Sequence, residues 1–441
     1  MTLMDLVPLA VFFVLLLGGM AVAFSLAISG ALGIYLLVGL QGTLGMLQTL
    51  PYRTTASFTL VAIALFIMMA EFSNESGITR RLFSAANAWV GHLKGGLALA
   101  TVLASAAFGA LSGSSVAAAA TMSRVAVPQM LNHGYSKVFA AGTASISGTL
   151  AILIPPSIPL IIYGVLTETS ISRLLMAGVV PGIITVLFYL IVISVWTHVQ
   201  PSAAPTRATR AKKGERLETT KYLWPFMLVV IFIFGAMYGG IVTATEASGI
   251  GAMAVLLMWL ILGRMPASGM HPISTTALRQ AFDRGLRSTV MIVSLLIGAY
   301  IFSFYLINSG VTQVVLQYVD NLDVPPIAIL TLVIIVYVIL GLFMSQLEIM
   351  VLTLPFVFPM ITSLGYDGIW LGIIVVKTIE IGLVTPPVGM NVFVVSSTSG
   401  MVSPGDGFKG VVPFLIAEVA TLILSIAYPE VVLFVPNAMM N

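Results

Sequence analysis

Long apolar runs separated by short polar stretches make up most of the chain. Runs of about 17 to 25 residues are long enough to cross a bilayer as helices. They lie at about 6–23, 24–40, 56–73, 137–166 and 174–197 in the first half, and at about 222–239, 244–262, 289–306, 369–397 and 410–428 in the second. The pattern predicts an all-α polytopic membrane protein with about five transmembrane helices in each half.

Two further apolar regions are interrupted near their middle, so that each part is too short to cross comfortably. The region at about 95–131 is broken at Ser112-Gly113-Ser114-Ser115, and the region at about 326–362 is broken around Met344-Ser345. Non-helical backbone at membrane depth is tolerated only where protein or a water-filled cavity surrounds it. Each region therefore predicts a re-entrant helical hairpin whose tip lies inside the membrane.

Double prolines interrupt two of the predicted spans. Pro155-Pro156 breaks the span at 137–166, and Pro386-Pro387 breaks the span at 369–397. Proline lacks the N–H that continues a helix and clashes with the preceding turn, so each pair predicts a broken helix beside a buried site. Either motif alone is equally compatible with a simple kink, and small residues at the tips also allow close helix packing. Two copies, each with a hairpin, favour a site.

The two halves are related by a nearly constant offset of 231 to 233 residues. Five ordered matches carry it: Ser76 with Ser309, Pro128 with Pro359, Gly134 with Gly365, Pro155 with Pro386, and Gly178 with Gly410. The chain is interpreted as a tandem duplication with repeats at 1–199 and 222–441 and a linker at 200–221. Because five spans is an odd number, the second repeat is predicted to be inverted in the membrane, as in many secondary transporters.

The composition excludes several classes of protein. The chain is 59% hydrophobic and 8% charged, whereas soluble domains carry about 25% charged residues. It has no cysteine, and its four histidines share no ligand spacing, so no disulfide framework or thiolate metal site is expected. The net charge of +3 reflects the loops and does not indicate nucleic-acid binding.

The basic residues lie mostly on one predicted side of the membrane. With the linker at 200–221 placed in the cytoplasm, 15 of the 19 Lys and Arg residues are cytoplasmic, in agreement with the positive-inside rule. Both termini are then predicted to be periplasmic. The first hairpin enters from the cytoplasm and the second from the opposite side.

The helix breaks supply the chemistry that a transporter needs. A helix that begins inside the membrane offers free N–H groups and a positive dipole end to an anion, while a helix that ends there offers carbonyl oxygens to a cation. Two tip-and-break pairs therefore predict two cation sites beside one shared cavity. The chain has no Gly-rich phosphate loop ending in Lys and Ser or Thr, so an ion gradient is the expected energy source.

Charged residues inside the predicted spans are few, and such residues are functional hypotheses by default. Lys377 and Glu380 are three residues apart on a helix and are expected to pair with each other. Glu348, at the second tip, is a candidate for ion or substrate handling. Arg124 is expected to reach the cytoplasmic face, and Glu246, near the start of a span, is expected to be structural.

The sequence resembles the large membrane subunit of tripartite ATP-independent periplasmic (TRAP) transporters. The resemblance lies in 148–164 around Pro155-Pro156, the tip at 112–115, Thr243-Ala-Thr-Glu-Ala247 and 381–391 around Pro386-Pro387. It implies an elevator-type carrier of the bacterial inner membrane that imports organic acids such as C4-dicarboxylates or sialic acid and is coupled to Na⁺. It also implies two partners, a small membrane subunit of four helices and a periplasmic substrate-binding protein.

The resemblance also assigns residues. One Na⁺ site would use Ser112, Gly113, Ser114, Ser115, Ala151, Ile154 and Pro156; the other would use Met344, Ser345, Gly382, Thr385 and Pro387. The substrate candidates are Ser115, Thr149, Glu348 and Asn391. The family usually has glycine at the position of Ala151, and its acid near the second tip is here represented by Glu348. No cofactor is expected besides Na⁺ as the coupling ion.

Two other readings stay open. A stand-alone symporter of the same superfamily, for citrate, dicarboxylate or arsenite, would need no binding protein. A channel would show passive flux without Na⁺ coupling. An intramembrane enzyme is disfavoured because the spans contain no nucleophile–base pair and no cluster of metal ligands.

Overall fold

A computed structural model describes residues 6–205, 213–221, 223–265, 268–320 and 324–439, and within these residues it is helical and has no strand. The first half contains α1 (Val7–Leu17), α2 (Val22–Thr55), α3 (Phe58–Ser76), α4 (Ile78–Val90), α5 (Gly96–Ser112), α6 (Ser115–Asn132), α7 (Lys137–Ser147), α8 (Leu150–Leu153), α9 (Ile158–Thr167), α10 (Ile171–Ala177) and α11 (Val179–Val199). The predicted all-α class is confirmed.

The second half repeats this order after the linker. It contains α12 (Lys213–Lys221), α13 (Trp224–Tyr238), α14 (Ala244–Leu262), α15 (Thr275–Asn308), α16 (Val311–Asp320), α17 (Pro326–Gly341), α18 (Gln346–Ser363), α19 (Gly368–Val384), α20 (Met390–Ser399), α21 (Pro404–Ala427) and α22 (Pro429–Ala438). Arg207, Arg210 and Lys212 of the predicted basic linker lie outside the described residues, as do positions 1–5 and 440–441.

Seven helical stretches of the described chain are long and apolar enough to cross a membrane: α2, α3, α10 with α11, α14, α15, α18 and α21. The protein is therefore a multi-pass membrane protein. The predicted end of the second span at about 40 coincides with a kink in α2 at Gly39, where φ is 72° and the backbone is not helical. The predicted start of a span at about 289 was wrong for the helix, because α15 begins at Thr275, where Ser274 caps it.

Two helical pairs lie where the hairpins were predicted. α5 and α6 meet at Gly113, whose φ of 56° is the left-handed conformation that glycine adopts without steric cost, and the Ser114 hydroxyl accepts from the Ala117 N–H. α17 and α18 meet at residues 342–345, where Ser345 and Glu348 form a reciprocal capping box at the start of α18.

Both double prolines interrupt a helix. In the first half the chain leaves the helix at Ile154 and re-enters it after Ser157, whose hydroxyl caps α9, and the two arms are bent by 42°. In the second half the chain leaves the helix at Thr385 and re-enters it after Gly389. The Pro155-Pro156 and Pro386-Pro387 peptide bonds are both cis.

The helices form two groups that exchange equivalent contacts between the halves. In the first group, called here the frame, α2 packs on α15 and α14 packs on α3. In the second, called the core, α6 packs on α20 and α18 packs on α9. Ser136 and Asp367, at an offset of 231, perform the same task as caps of α7 and α19. Such reciprocal contacts are what two related repeats produce when they interlock.

Candidate functional site

A cavity of about 400 Å³ lies between the frame and the core, where the two hairpin tips meet. The core lines it with Ser112, Gly113, Ser114 and Ser115 from the first tip and with Ser345, Gln346 and Leu347 from the second. The frame lines it with Ile67, Ala70, Glu71 and Asn74 from α3 and with Ser288, Met291 and Ile292 from α15. Residues that lie more than 200 positions apart in the chain thus share one wall.

The first hairpin tip rests directly on the first helix break. A Cβ atom added to Gly113 would lie 2.4 Å from the carbonyl oxygen of Pro156, so only glycine fits at this contact. The Ser112 hydroxyl beside it is buried and has no hydrogen-bond partner among the described residues. A carbonyl oxygen and an unpartnered hydroxyl at a helix break are donors that suit Na⁺, so the residues predicted for the first Na⁺ site fit the ion.

Ala151 fills the place of glycine in this site without disturbing it. A Cβ atom added to Gly109 of α5 would lie 2.6 Å from the Ala151 Cα. In the second half the corresponding contact joins two glycines, because a Cβ atom on Gly382 would lie 2.7 Å from the Gly341 Cα. Because Gly109 has no side chain, α5 leaves enough space for the Ala151 methyl group.

The residues predicted for the second Na⁺ site are less enclosed. Ser345 reaches the cavity, whereas the lining does not include Met344, Thr385 or Pro387. Pro387 is exposed, in contrast to the buried Pro156 of the first break. The Thr385 hydroxyl donates to the Ile381 carbonyl at 2.5 Å, which leaves its lone pairs free for a cation.

The charges around the cavity are unequal at the two tips. α6 begins at the first tip and has no acid in its own first turn, so no side chain of that turn offsets its positive dipole end. α18 begins at the second tip with Glu348 in its first turn, which offsets that charge. Among the residues that line the cavity, Glu71 is the charged one. Arg284 of α15 attracts the Glu71 carboxyl group and forms an ion pair with Glu75 at 2.6 Å. The α6 amino end is the place on this wall for an anionic group.

The four substrate candidates lie in different surroundings. Ser115 lines the cavity and accepts a hydrogen bond of 2.6 Å from the Asn391 amide, which is fully buried behind it. Glu348 is engaged in the capping box, where it accepts from the Ser345 N–H and hydroxyl at 2.9 and 2.7 Å. Thr149 is 1% exposed and does not line the cavity.

Lys377 and Glu380 attract each other, as predicted, but the ammonium group makes its short ion pair with another acid. Lys377 forms its ion pair with Glu418 of α21, and its ammonium group also donates to the Thr185 hydroxyl at 3.1 Å. The Glu418 carboxylate in turn accepts from the hydroxyls of Tyr189 and Thr149. This network joins α11, α19, α21 and the residue that precedes α8, and Thr149 belongs to it rather than to the cavity.

The capping role of Glu348 predicts which substitutions the site tolerates. Glutamine at the same helix position makes the reciprocal hydrogen bond that glutamate makes, so we expect Glu348→Gln to keep transport near the wild-type rate. Glu348→Ala removes the cap and is expected to lose about 1 kcal/mol of stability together with much of the rate. Uptake rates of the two variants provide the test, and equal loss in both would show that the charge itself is required.

Comparison with known proteins gives matches along almost the whole chain. The family profile described as "Tripartite ATP-independent periplasmic transporter, DctM component" matches residues 9–431. The C4-dicarboxylate TRAP transporter large permease protein DctM of Pseudomonas aeruginosa is 37% identical over 413 residues, which are 94% of each chain. The sialic acid TRAP transporter large permease protein SiaM of Vibrio cholerae is 28% identical over 96% of each chain.

Among solved structures, the crystal structure of the YdaH transporter of Alcanivorax borkumensis has a similar fold. The TM-score is 0.67 over 96% of this chain and 99% of that chain, at 12% sequence identity. At that identity the similarity concerns the arrangement of the helices alone.

Proposed function

Because the chain belongs to the DctM component of the tripartite ATP-independent periplasmic transporters, we propose that it imports a small organic acid across the bacterial inner membrane with Na⁺ as the coupling ion. A C4-dicarboxylate is the first candidate substrate, and sialic acid or a similar carboxylate is the second. The chain acts as the permease subunit and not as an enzyme. Its expected partners are a small four-helix membrane subunit and a periplasmic substrate-binding protein.

The observation that carries this proposal is the meeting of the two hairpin tips at one cavity. The α6 amino end offers a carboxylate of the substrate free N–H groups and a positive dipole end. The Pro156 carbonyl oxygen and the Ser112 hydroxyl lie directly behind it. A cation held there would attract the bound anion and offset its negative charge. Each ligand would therefore favour the binding of the other.

The division into frame and core supports an elevator movement. The cavity lies on the boundary between the two groups, and α3 and α15 provide its frame side. If the core carries both tips and both breaks as one body, a shift along α3 and α15 exposes the cavity to one side of the membrane at a time. Each net positive charge that enters at about 100 mV contributes about 2.3 kcal/mol, enough to concentrate a substrate about 50-fold.

The orientation follows the charge distribution. We propose that both termini face the periplasm and that the linker at 200–221 faces the cytoplasm. Arg216 of α12 stacks over the Trp89 ring of α4 at 5.6 Å from its centre. This contact places the linker helix beside the carboxyl end of α4, an amphipathic helix of the kind that lies in the membrane interface.

Uptake into proteoliposomes tests the proposed function. The chain is reconstituted with its two partner proteins, and uptake of labelled C4-dicarboxylates and sialic acid is followed with and without an inward Na⁺ gradient. We expect accumulation above the external concentration only with the gradient. Uptake that is indifferent to Na⁺ would contradict the coupling, and uptake without the binding protein would favour the stand-alone symporter.

A further inference from the structure

A second cavity, of about 490 Å³ and called here the crevice, also lies between the frame and the core. The core lines it with the segment 164–172, and the frame lines it with Ser57, Thr59, Thr243, Thr245 and Tyr300. On α15, Tyr300 lies eight residues beyond Ile292 of the cavity at the hairpin tips, which is about 12 Å along the helix. In the orientation proposed above, the crevice is periplasmic and the cavity at the tips lies nearer the cytoplasm.

A side-chain hydrogen bond joins the frame to the core at the crevice. The Tyr300 hydroxyl of α15 donates to the Val165 carbonyl oxygen of α9 at 3.1 Å. Val165 lies in the last turn of α9, where carbonyl oxygens have no N–H donor from their own helix. The tyrosine of the frame therefore satisfies a carbonyl group that the end of a core helix leaves without a donor.

The end of α9 is packed tightly within the core, so that the Val165 carbonyl is a fixed acceptor. A Cβ atom added to Gly164 would lie 2.7 Å from the Ile171 side chain and 3.0 Å from that of Leu174, both on α10. Glu168, which ends α9, has a φ of 56°, a conformation that residues with a Cβ atom rarely adopt. Strained backbone of this kind persists where the surrounding structure holds it, and it is found in segments that switch between states.

We propose that Tyr300 acts as a latch between the frame and the core. Its hydrogen bond to Val165 holds the core in the position in which the cavity at the hairpin tips lies toward the cytoplasm. The bond must break before the core moves toward the periplasm. The inference rests on the proposed function, since it concerns the same movement of the core along α3 and α15. It gives Tyr300 a part in the balance between the two positions and no contact with substrate or Na⁺.

Tyr300→Phe tests the latch, because it removes the hydroxyl and keeps the ring and its packing. Spin labels are attached to Asn132→Cys, at the end of α6 in the core, and to Thr276→Cys, near the start of α15 in the frame; both positions are exposed, and the chain has no native cysteine. Pulsed electron spin resonance of the full-length chain in lipid nanodiscs, over a range of NaCl concentrations, gives the fraction of chains at each distance between the labels. We expect the loss of one hydrogen bond to shift the ratio of the two populations about fivefold away from the position described above.

Tyr163→Phe is the matched control on the same core helix. The Tyr163 hydroxyl of α9 donates to the Gly368 carbonyl oxygen of α19 at 2.7 Å, a contact inside the core. This variant also loses a tyrosine hydroxyl and its bond to a backbone carbonyl, but that bond does not reach the frame. We expect it to keep the wild-type ratio of the two populations.

The outcomes separate the latch from the proposed function. Two distances whose ratio is the same with tyrosine and with phenylalanine at position 300 overturn the latch and leave the movement of the core intact. An equal shift in Tyr300→Phe and Tyr163→Phe also overturns the latch, because the bond across the boundary then has no special effect. A single distance at every NaCl concentration in all three chains overturns the proposed movement and the latch with it.

Discussion

Lys377→Met is expected to lower the free energy of unfolding by about 3–5 kcal/mol, because it leaves the buried Glu418 without its counter-charge. Both groups of the pair are almost completely inaccessible to solvent, at 2% and 0%. Methionine has a similar length and removes only the ammonium group and its hydrogen bond to Thr185. Unfolding of the purified chain in mixed detergent micelles gives the measurement.

The double variant Lys377→Met/Glu418→Leu separates the pair from the packing around it. Replacing both partners of a buried ion pair by apolar residues is often neutral or stabilising, so we expect it to recover most of the loss. Lys409→Met, at an exposed position of α21, is the control for removing a lysine. A single variant as stable as the wild type would mean that Glu418 does not depend on Lys377.

Gly410→Ala is expected to destabilise the chain by about 1–3 kcal/mol or more through overpacking. A Cβ atom at this position would lie 2.1 Å from the carbonyl oxygen of Val138 and 2.7 Å from the Cα of Gly142. Both neighbours are backbone atoms of α7, so the helices must separate to admit the methyl group. The contact joins the first half to the second, and thermal unfolding in detergent measures its loss.

Gly405→Ala is the matched control in the same helix. At Gly405 a Cβ atom would meet nothing closer than the Ser403 hydroxyl oxygen at 3.7 Å. Alanine is the better helix former by about 1 kcal/mol, so this variant is expected to be as stable as the wild type or slightly more so. Equal effects at 405 and 410 would show that the close approach of α7 and α21 is not what Gly410 provides.

The breaks in the helices were readable from the sequence because their cause is local. A proline pair lacks the N–H groups that a helix needs, and no distant residue changes that. The interruptions at Ile154 and at Thr385 accordingly lie where the motifs place them. The start of α15 was not readable from apolar runs, since polar residues that include several good helix formers continue the helix beyond the length that a membrane requires.

The role of Glu348 was present in the sequence as a local signal. Ser345-Gln-Leu-Glu348 has the Ser-x-x-Glu pattern of a capping box, and the structure forms that box. The same pattern occurs at Thr243 and Glu246, where the expected structural role is that of a cap. In both places the capping role of the acid follows from its position three residues after the cap residue, and no contact with another helix is needed to predict it.

The partner of Lys377 could not be read in this way. Glu380 is close in sequence, but Glu418 lies on another helix, and only the packing of α19 against α21 brings it to the ammonium group. The same packing removes Thr149 from the cavity, because its hydroxyl bonds the Glu418 carboxylate and the Tyr189 hydroxyl. Contacts between helices that are distant in the chain decide these roles. The spacing of charged residues along one helix cannot predict such contacts.

We propose that the two halves have opposite orientations in the membrane and meet at one cavity. Cysteine labelling tests this arrangement most directly. Asn132 and Ser363 end α6 and α18 at an offset of 231, and both are exposed. Because the chain has no cysteine, Asn132→Cys and Ser363→Cys each introduce a unique thiol. In intact cells whose outer membrane is permeable, an impermeant thiol reagent is expected to label position 363, and to label position 132 only after the inner membrane is opened. Labelling of both positions, or of neither, before that step would contradict the inverted arrangement.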